Sequence, residues 1–185
     1  VNYIETKHKR VTADTELYIK DAFTYTAQDR LLTHTHQIGT GGAPQLLAKN
    51  DYDEFGRLMS KQVGGTDTTN FIGLQKVDYS YNIRGWLKGI NDIENLSQSG
   101  SPTDLFAFKL NYNTIENENV YVGKELYNGN ISETYWRTNN DNFKRKYSYH
   151  YDEQNRMKSA IYQRPNNSSP LRNNYDEHVF YDKNG

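Results

Sequence analysis

Tyr52-Asp53-Glu54-Phe55-Gly56-Arg57-Leu58, returning as Tyr151-Asp152-Glu153-Gln154-Asn155-Arg156-Met157, is the phrase on which the fold turns. Looser copies read YTAQDRL at 25–31, YNIRGWL at 81–87 and YNGNIS at 127–132, and YDKNG at 181–185 begins another. Successive tyrosines are then 27, 29, 46, 24 and 30 residues apart, a spacing that suits one supersecondary unit per copy. The fifth position holds Asp29, Gly56, Gly85, Asn155 or Gly185, the residue types that best tolerate positive φ. A three-residue hairpin loop needs one such residue, because a type I turn followed by a left-handed position and its bulge matches strand twist.

That loop fixes which side chains meet. Asp53 faces Arg57 and Asp152 faces Arg156, so opposite charges close the hairpin. One rung further out, Tyr52 meets Leu58, Tyr151 meets Met157, Tyr25 meets Leu31 and Tyr81 meets Leu87 on the other face of the ribbon. That second face is the apolar one, and its rings are expected to be covered. The Asp, Asn or Thr after each tyrosine can bond back to the backbone of its own turn. Alternation extends the same face along the arms, through Phe23 and Tyr25, Val77, Tyr79 and Tyr81, and Tyr147, Tyr149 and Tyr151. A further strand carries Phe106, Phe108, Leu110 and Tyr112 on one side. Amphipathic helical periodicity is confined to single turns at Glu16–Ile19 and Asp92–Leu96. The fold expected is all-β, built of repeated antiparallel hairpins, with copies near 23–35, 50–62, 77–90, 121–135 and 147–162 and an incomplete one from 179. The segments His36–Asn50, Gly64–Phe71 and Asn91–Thr103 read as loops between copies, and 113–119 and 165–174 are similarly polar. A lone hairpin is marginal in water, so neighbouring units must stack into an array, here a single segment over 1–185.

Composition limits the function. Of 185 residues only 35% are hydrophobic, yet 14% are aromatic, enough rings to order a chain that is otherwise strongly hydrophilic. Lys and Arg number 22 against 23 Asp and Glu, which leaves no basic stripe for nucleic acid. Cysteine is absent, which excludes disulfides, thiol nucleophiles and thiolate-bound metals. No apolar run reaches the length of a membrane span.

The phrase Tyr-Asp-x-x-Gly-Arg-Leu at 52–58, with Asn155 and Met157 replacing Gly and Leu at 151–157, resembles the YD repeat of the RHS family, and the resemblance covers nearly the whole chain. It implies an antiparallel ribbon that winds into part of a spiralling β-shell or solenoid, as in bacterial polymorphic toxins and related secreted or cell-surface proteins. It further implies a non-catalytic structural segment of a larger polypeptide, whose shell contains or presents another part of the protein such as a toxin. Partners would be the remainder of the same polypeptide, including adjacent repeats and enclosed cargo, together with a secretion-system component. The last copy breaks off at Gly185, which suits a piece of a longer chain. Trp86 in the arginine position and the shortened copy at 127–132 depart from the pattern, and neither a self-cleaving core segment nor a toxin domain is found.

Other patterns are weaker. His34 and His36 share a strand face but lack an evident third ligand, so no metal is assigned, and His8, His150 and His178 are scattered. Gly39-Thr40-Gly41-Gly42 has no helix behind it to cradle a phosphate. Asn139-Asn140-Asp141-Asn142 lacks the alternation and terminal Glu of a calcium loop. Asp53 with Glu54, and Glu116 with Glu118, are turn and loop carboxylates and not an acid–base pair. No cofactor and no enzymatic activity are expected. The competing reading is an adhesin-like module that binds surface glycan or protein through its Tyr-rich strand faces and insertion loops.

Overall fold

Turn residues set the strand boundaries. The computed structural model describes residues 1–116, 123–164 and 175–182, which form twelve strands and no helix. In chain order they are β1 (Tyr3–His8), β2 (Leu17–Tyr25), β3 (Leu31–Ile38), β4 (Gln45–Tyr52), β5 (Leu58–Val63), β6 (Gln75–Tyr81), β7 (Leu87–Ile90), β8 (Phe106–Asn111), β9 (Glu133–Thr138), β10 (Arg145–Tyr151), β11 (Met157–Gln163) and β12 (Glu177–His178). The chain divides into two compact units, residues 1–79 with 97–102 and residues 80–96 with 103–185. Within each unit the strands pair antiparallel with their neighbours in sequence, so the fold is all-β and hairpin-connected. Glu16–Ile19 and Asp92–Leu96 are not helical: the first runs into β2 and the second is a bent loop. His36–Asn50 is not a loop either, since only 39–44 turn and the rest forms the arms of the β3–β4 hairpin.

A bulge follows three of the repeat corners. Tyr25 pairs with Leu31 but Thr24 with Thr33, Tyr52 with Leu58 but Asp51 with Ser60, and Tyr151 with Met157 but His150 with Ser159. The extra residue on the return strand tightens the local twist and reverses the alternation beyond it. Lys61, not Ser60, therefore sits opposite Asn50. In the first unit the most buried side chains are Leu46, Ala48, Thr33 and Asn50.

In the second unit, pairing places Ala107, Lys109, Asn111, Arg137, Tyr135, Glu133, Lys146 and Ser148 on one sheet face. Phe106, Phe108, Leu110, Trp136, Tyr147 and Tyr162 lie on the other. The polar face is the more completely covered one: Tyr135, Glu133, Lys146 and Ser148 are each 0% exposed, while on the other face Leu110 and Tyr162 are buried but Phe106 is exposed and Trp136 and Tyr147 half-buried. Ile93 and Leu96 of the 91–103 insertion pack with Ala107 and Tyr135. Arg137 Nη1 fastens that loop by donating to Ile93 O at 3.1 Å and Glu94 O at 2.8 Å. The expectation that the tyrosine face would be the covered one is thus corrected. Tyr52, Tyr81, Tyr147, Tyr149 and Tyr151 are only half-buried and Tyr25 is exposed, and in the second unit the 91–103 insertion folds over the opposite face, where charges meet in pairs.

Candidate functional site

The repeat corners hold the most regular chemistry in the molecule. Asp29, Gly56, Gly85 and Asn155 have φ of 59°, 80°, 80° and 62°, while Gly185 lies outside the described residues. In each of these four corners the residue after the tyrosine exchanges backbone bonds with the far side of the loop. Thr26, Asp53, Asn82 and Asp152 donate N–H to the carbonyl oxygens of Arg30, Arg57, Trp86 and Arg156 at 2.8, 3.0, 2.9 and 2.9 Å. Their side-chain oxygens accept the backbone N–H of the same four residues at 3.2, 2.8, 2.9 and 2.9 Å. Threonine, aspartate and asparagine are interchangeable there because only an acceptor on a short side chain is needed. Where the residue is Asp, the guanidinium adds a charge-assisted bond: Arg57 Nε and Arg156 Nε each lie 2.7 Å from the Oδ2 of Asp53 and Asp152.

The bonds shift the carboxyls. At Asp53 desolvation raises the pKa, but hydrogen bonds from the Arg57 backbone and guanidinium outweigh it and hold the carboxyl below its usual range. Asp152 is lowered chiefly by the Arg156 N–H. A depressed folded-state pKa contributes stability that is complete above the unfolded value, about 3.9, and lost as pH falls through the folded one. Thermal unfolding midpoints should therefore fall as pH drops from about 4 into stronger acid. The double variant Asp53→Asn/Asp152→Asn should show a shallower fall, and an unchanged acid slope would contradict the assignment.

The repeat tyrosines act as ties between successive hairpins. Tyr52 Oη donates to Leu31 O at 2.9 Å, Tyr151 Oη to Ile131 O at 2.9 Å and Tyr181 Oη to Met157 O at 2.8 Å. Tyr112 Oη donates to Leu87 O at 3.0 Å in the same way. Three of the carbonyls open the return strand of the hairpin before, Leu31 in β3, Leu87 in β7 and Met157 in β11, and Ile131 lies two residues before β9. Burial pushes the phenols of Tyr112 and Tyr151 up, which keeps them protonated donors. Sequence reading missed Tyr112: the copy placed at 127–132 has its tying tyrosine there, and Tyr127 is exposed and donates to Glu125, two residues away, at 2.8 Å. Insertion of 113–130 between Tyr112 and Ile131 hides the phrase, but Tyr112 following a Phe106, Phe108, Leu110 alternation was the available signal. We expect Tyr52→Phe and Tyr151→Phe each to cost about 1 kcal/mol in urea unfolding, and Tyr127→Phe to leave the midpoint unchanged. Equal effects at all three sites would remove the tie.

The remaining candidates are structural in their surroundings. Asp21 Oδ1 bonds both His34 Nε2 at 2.8 Å and His36 Nδ1 at 2.9 Å, and these bonds lower its pKa. Phe23 stacks on the His34 ring at 4.6 Å. Among the described residues no group of His, Asp or Glu is arranged to hold a metal. The Gly39–Gly42 stretch is a hairpin turn closed by Gln37 Nε2 donating to Gly42 O at 2.8 Å. In 139–142 the carboxylate of Asp141 is held by Arg145, which sets its pKa far below the ordinary range. Glu116 pairs with Lys109, and Glu118 lies outside the described residues.

On the half-exposed face of the second unit, Trp136 stacks on Tyr147 at 5.5 Å and Tyr162 meets Tyr175 edge-on at 5.1 Å. With Arg145 and Arg164 these rings line a hollow of 250 Å³. That is slightly smaller than a drug-sized ligand site and open on one side.

No family model and no curated protein matches the chain. Among solved structures, one described as "Crystal Structure of TcdB2-TccC3-Cdc42" is similar at a TM-score of 0.29 and 12% identity, over 83% of this chain. The chain spans 9% of the length of that one.

Proposed function

We propose that this chain is a non-catalytic structural segment of a large secreted or surface-exposed RHS/YD-repeat protein, in which its strands build part of a β-shell that contains or presents another part of the same polypeptide. The observation that carries the reading is the recurring tie: Tyr52, Tyr112, Tyr151 and Tyr181 each bond the hairpin before them through the same carbonyl position. Such a device specifies stacking of hairpin on hairpin, which is what a wall requires and what a catalytic cleft does not. Adjacent repeats and enclosed cargo are the partners this role needs, and a secretion machine is the route out of a bacterial cell. The test is electron microscopy of the parent polypeptide together with limited proteolysis. The reading requires these hairpins to continue into a wall around a protected segment, and a parent whose other segments are all cleaved as readily as exposed linkers overturns it.

A second reading rests on the Trp136, Tyr147, Tyr162 and Tyr175 hollow with its two arginines. Rings of this kind stack on sugar faces, and guanidinium groups bond hydroxyls or carboxylates, which suits an adhesin-like contact with surface glycan. A glycan array comparing the protein with Tyr147→Ala and Tyr175→Ala decides it: binding lost in the variants supports the adhesin, and no binding by the unaltered protein removes it.

A further inference from the structure

Asn128 stands directly before Gly129 in the turn that precedes β9, and its side-chain amide is held at both polar atoms. Oδ1 accepts the backbone N–H of Asn130 at 3.0 Å, and Nδ2 donates to Oδ1 of Asn155, in the next repeat corner, at 2.6 Å. Asn128 is exposed, so water reaches it. Gly129 has φ of +98°, and a Cβ on it would stand 2.9 Å from Trp86 Cη2, so the turn requires a residue without a side chain at this point. The Gly129 N–H donates to no described residue.

We propose that Asn128 is a site of self-modification, at which the Gly129 nitrogen closes on the Asn128 side chain and the cyclic imide so formed opens in water to aspartyl and isoaspartyl products. Attack on Cγ places negative charge on Oδ1, where the Asn130 N–H already sits as an oxyanion donor. The attacking nitrogen has no hydrogen bond to give up, and glycine presents no side chain to crowd the ring. Solvent base removes the Gly129 N–H proton. The bond formed joins Gly129 N to Asn128 Cγ. The bond broken is Cγ–Nδ2, and Nδ2 leaves as ammonia with a proton returned from solvent. Water then adds to one imide carbonyl: opening at Cγ gives aspartate, and opening at the main-chain carbonyl gives the isoaspartyl form. Asn82 shows what the glycine contributes. Its Oδ1 accepts Arg84 N at 2.9 Å in the same local pattern, but Ile83 follows it with a branched side chain that obstructs ring closure. Either product at 128 replaces the Nδ2 donor by a carboxylate oxygen, so two acceptors face each other at Asn155 and the bond between the two turns is lost. The result is a slow, irreversible loosening between successive corners of the second unit.

The experiment is incubation of the folded protein in isotopically labelled water at mildly alkaline pH, followed by peptide mapping, with a parallel sample held unfolded in urea. The peptide carrying Asn128 is expected to split into two isomers, each with one labelled oxygen in place of the amide nitrogen and the isoaspartyl form in excess. Conversion in the folded protein should be at least as fast as in urea, with Asn82 unchanged. Asn128→Gln, whose longer side chain needs a larger ring, should stay intact under the same conditions. An Asn128 that persists in the folded protein while converting in urea overturns the proposal. So does a product that is aspartate alone, or conversion confined to Asn184, which also precedes a glycine.

Discussion

Valine in place of Gly56 is expected to lower the free energy of unfolding by about 3 kcal/mol, the larger part of it backbone strain, since a β-branched residue at positive φ costs about 1–3 kcal/mol. Gly56 has φ of +80°, and a Cβ there would stand 2.1 Å from Arg30 Nη2 and 2.2 Å from its Cζ. The guanidinium of the preceding hairpin lies across the bare glycine, so valine must also push Arg30 aside. Arg30 would then leave its place 6.0 Å from the Tyr52 ring centroid, a contact worth about 0.5–1 kcal/mol where exposed.

Gly85 separates the two causes. Its φ is also +80°, but nothing lies within 4 Å of the position its Cβ would take. Gly85→Val should therefore cost the strain alone, and Gly56→Val should approach that smaller value once Arg30→Ala has cleared the space. Urea midpoints of the four proteins check this. Equal losses for the two glycines in the otherwise unaltered protein would show that Arg30 does not rest on Gly56.

These corners were the legible part of the molecule, because everything they need is local. An acceptor after the tyrosine, a left-handed residue three later and an arginine or its replacement next lie within one short phrase, so the hairpin class and the Tyr25–Leu31, Tyr52–Leu58 and Tyr151–Met157 pairs could be read from it. Burial was not local. Alternation assigns Lys146, Ser148 and His150 to the polar side of β10, and that assignment of sides holds. The error lay in equating polar with exposed, since the 91–96 loop and the 112–116 segment fold back over that side and supply Glu94, Ile93, Leu96 and Glu116. Nothing in β10 alone announces a lid that comes from elsewhere in the chain. The opposite charges at Glu133 and Lys146 were visible, but their meeting depends on the β9–β10 register. Tyr112 went unread for a related reason: its return strand, β9, begins only at Glu133, beyond an insertion that breaks the phrase.

Replacing Lys146 by methionine is the other substitution with a large expected effect, a loss of about 3–5 kcal/mol, the cost of breaking a buried pair by removing one partner. Methionine fills much of the volume of the lysine stem, so packing around Tyr135 changes little. What remains is a carboxylate at Glu133 with 0% exposure, served by Asn111, Glu116 N and Tyr135 Oη but stripped of its counter-charge. Lys144, which carries the other buried ammonium on this face, is 2.9 Å from Glu94 and does not replace Lys146. The size of the loss therefore reports a stranded charge, and Glu133→Gln in the Lys146→Met background should recover more than half of it, because the amide keeps the volume and discards the charge. Any part that stays lost in the double variant measures what Lys146 supplies besides charge, including its bond to Glu116 O. A Lys146→Met protein as stable as the original, or a double variant whose loss is the sum of the two single losses, would place the ion pair outside the forces that hold these three strands together.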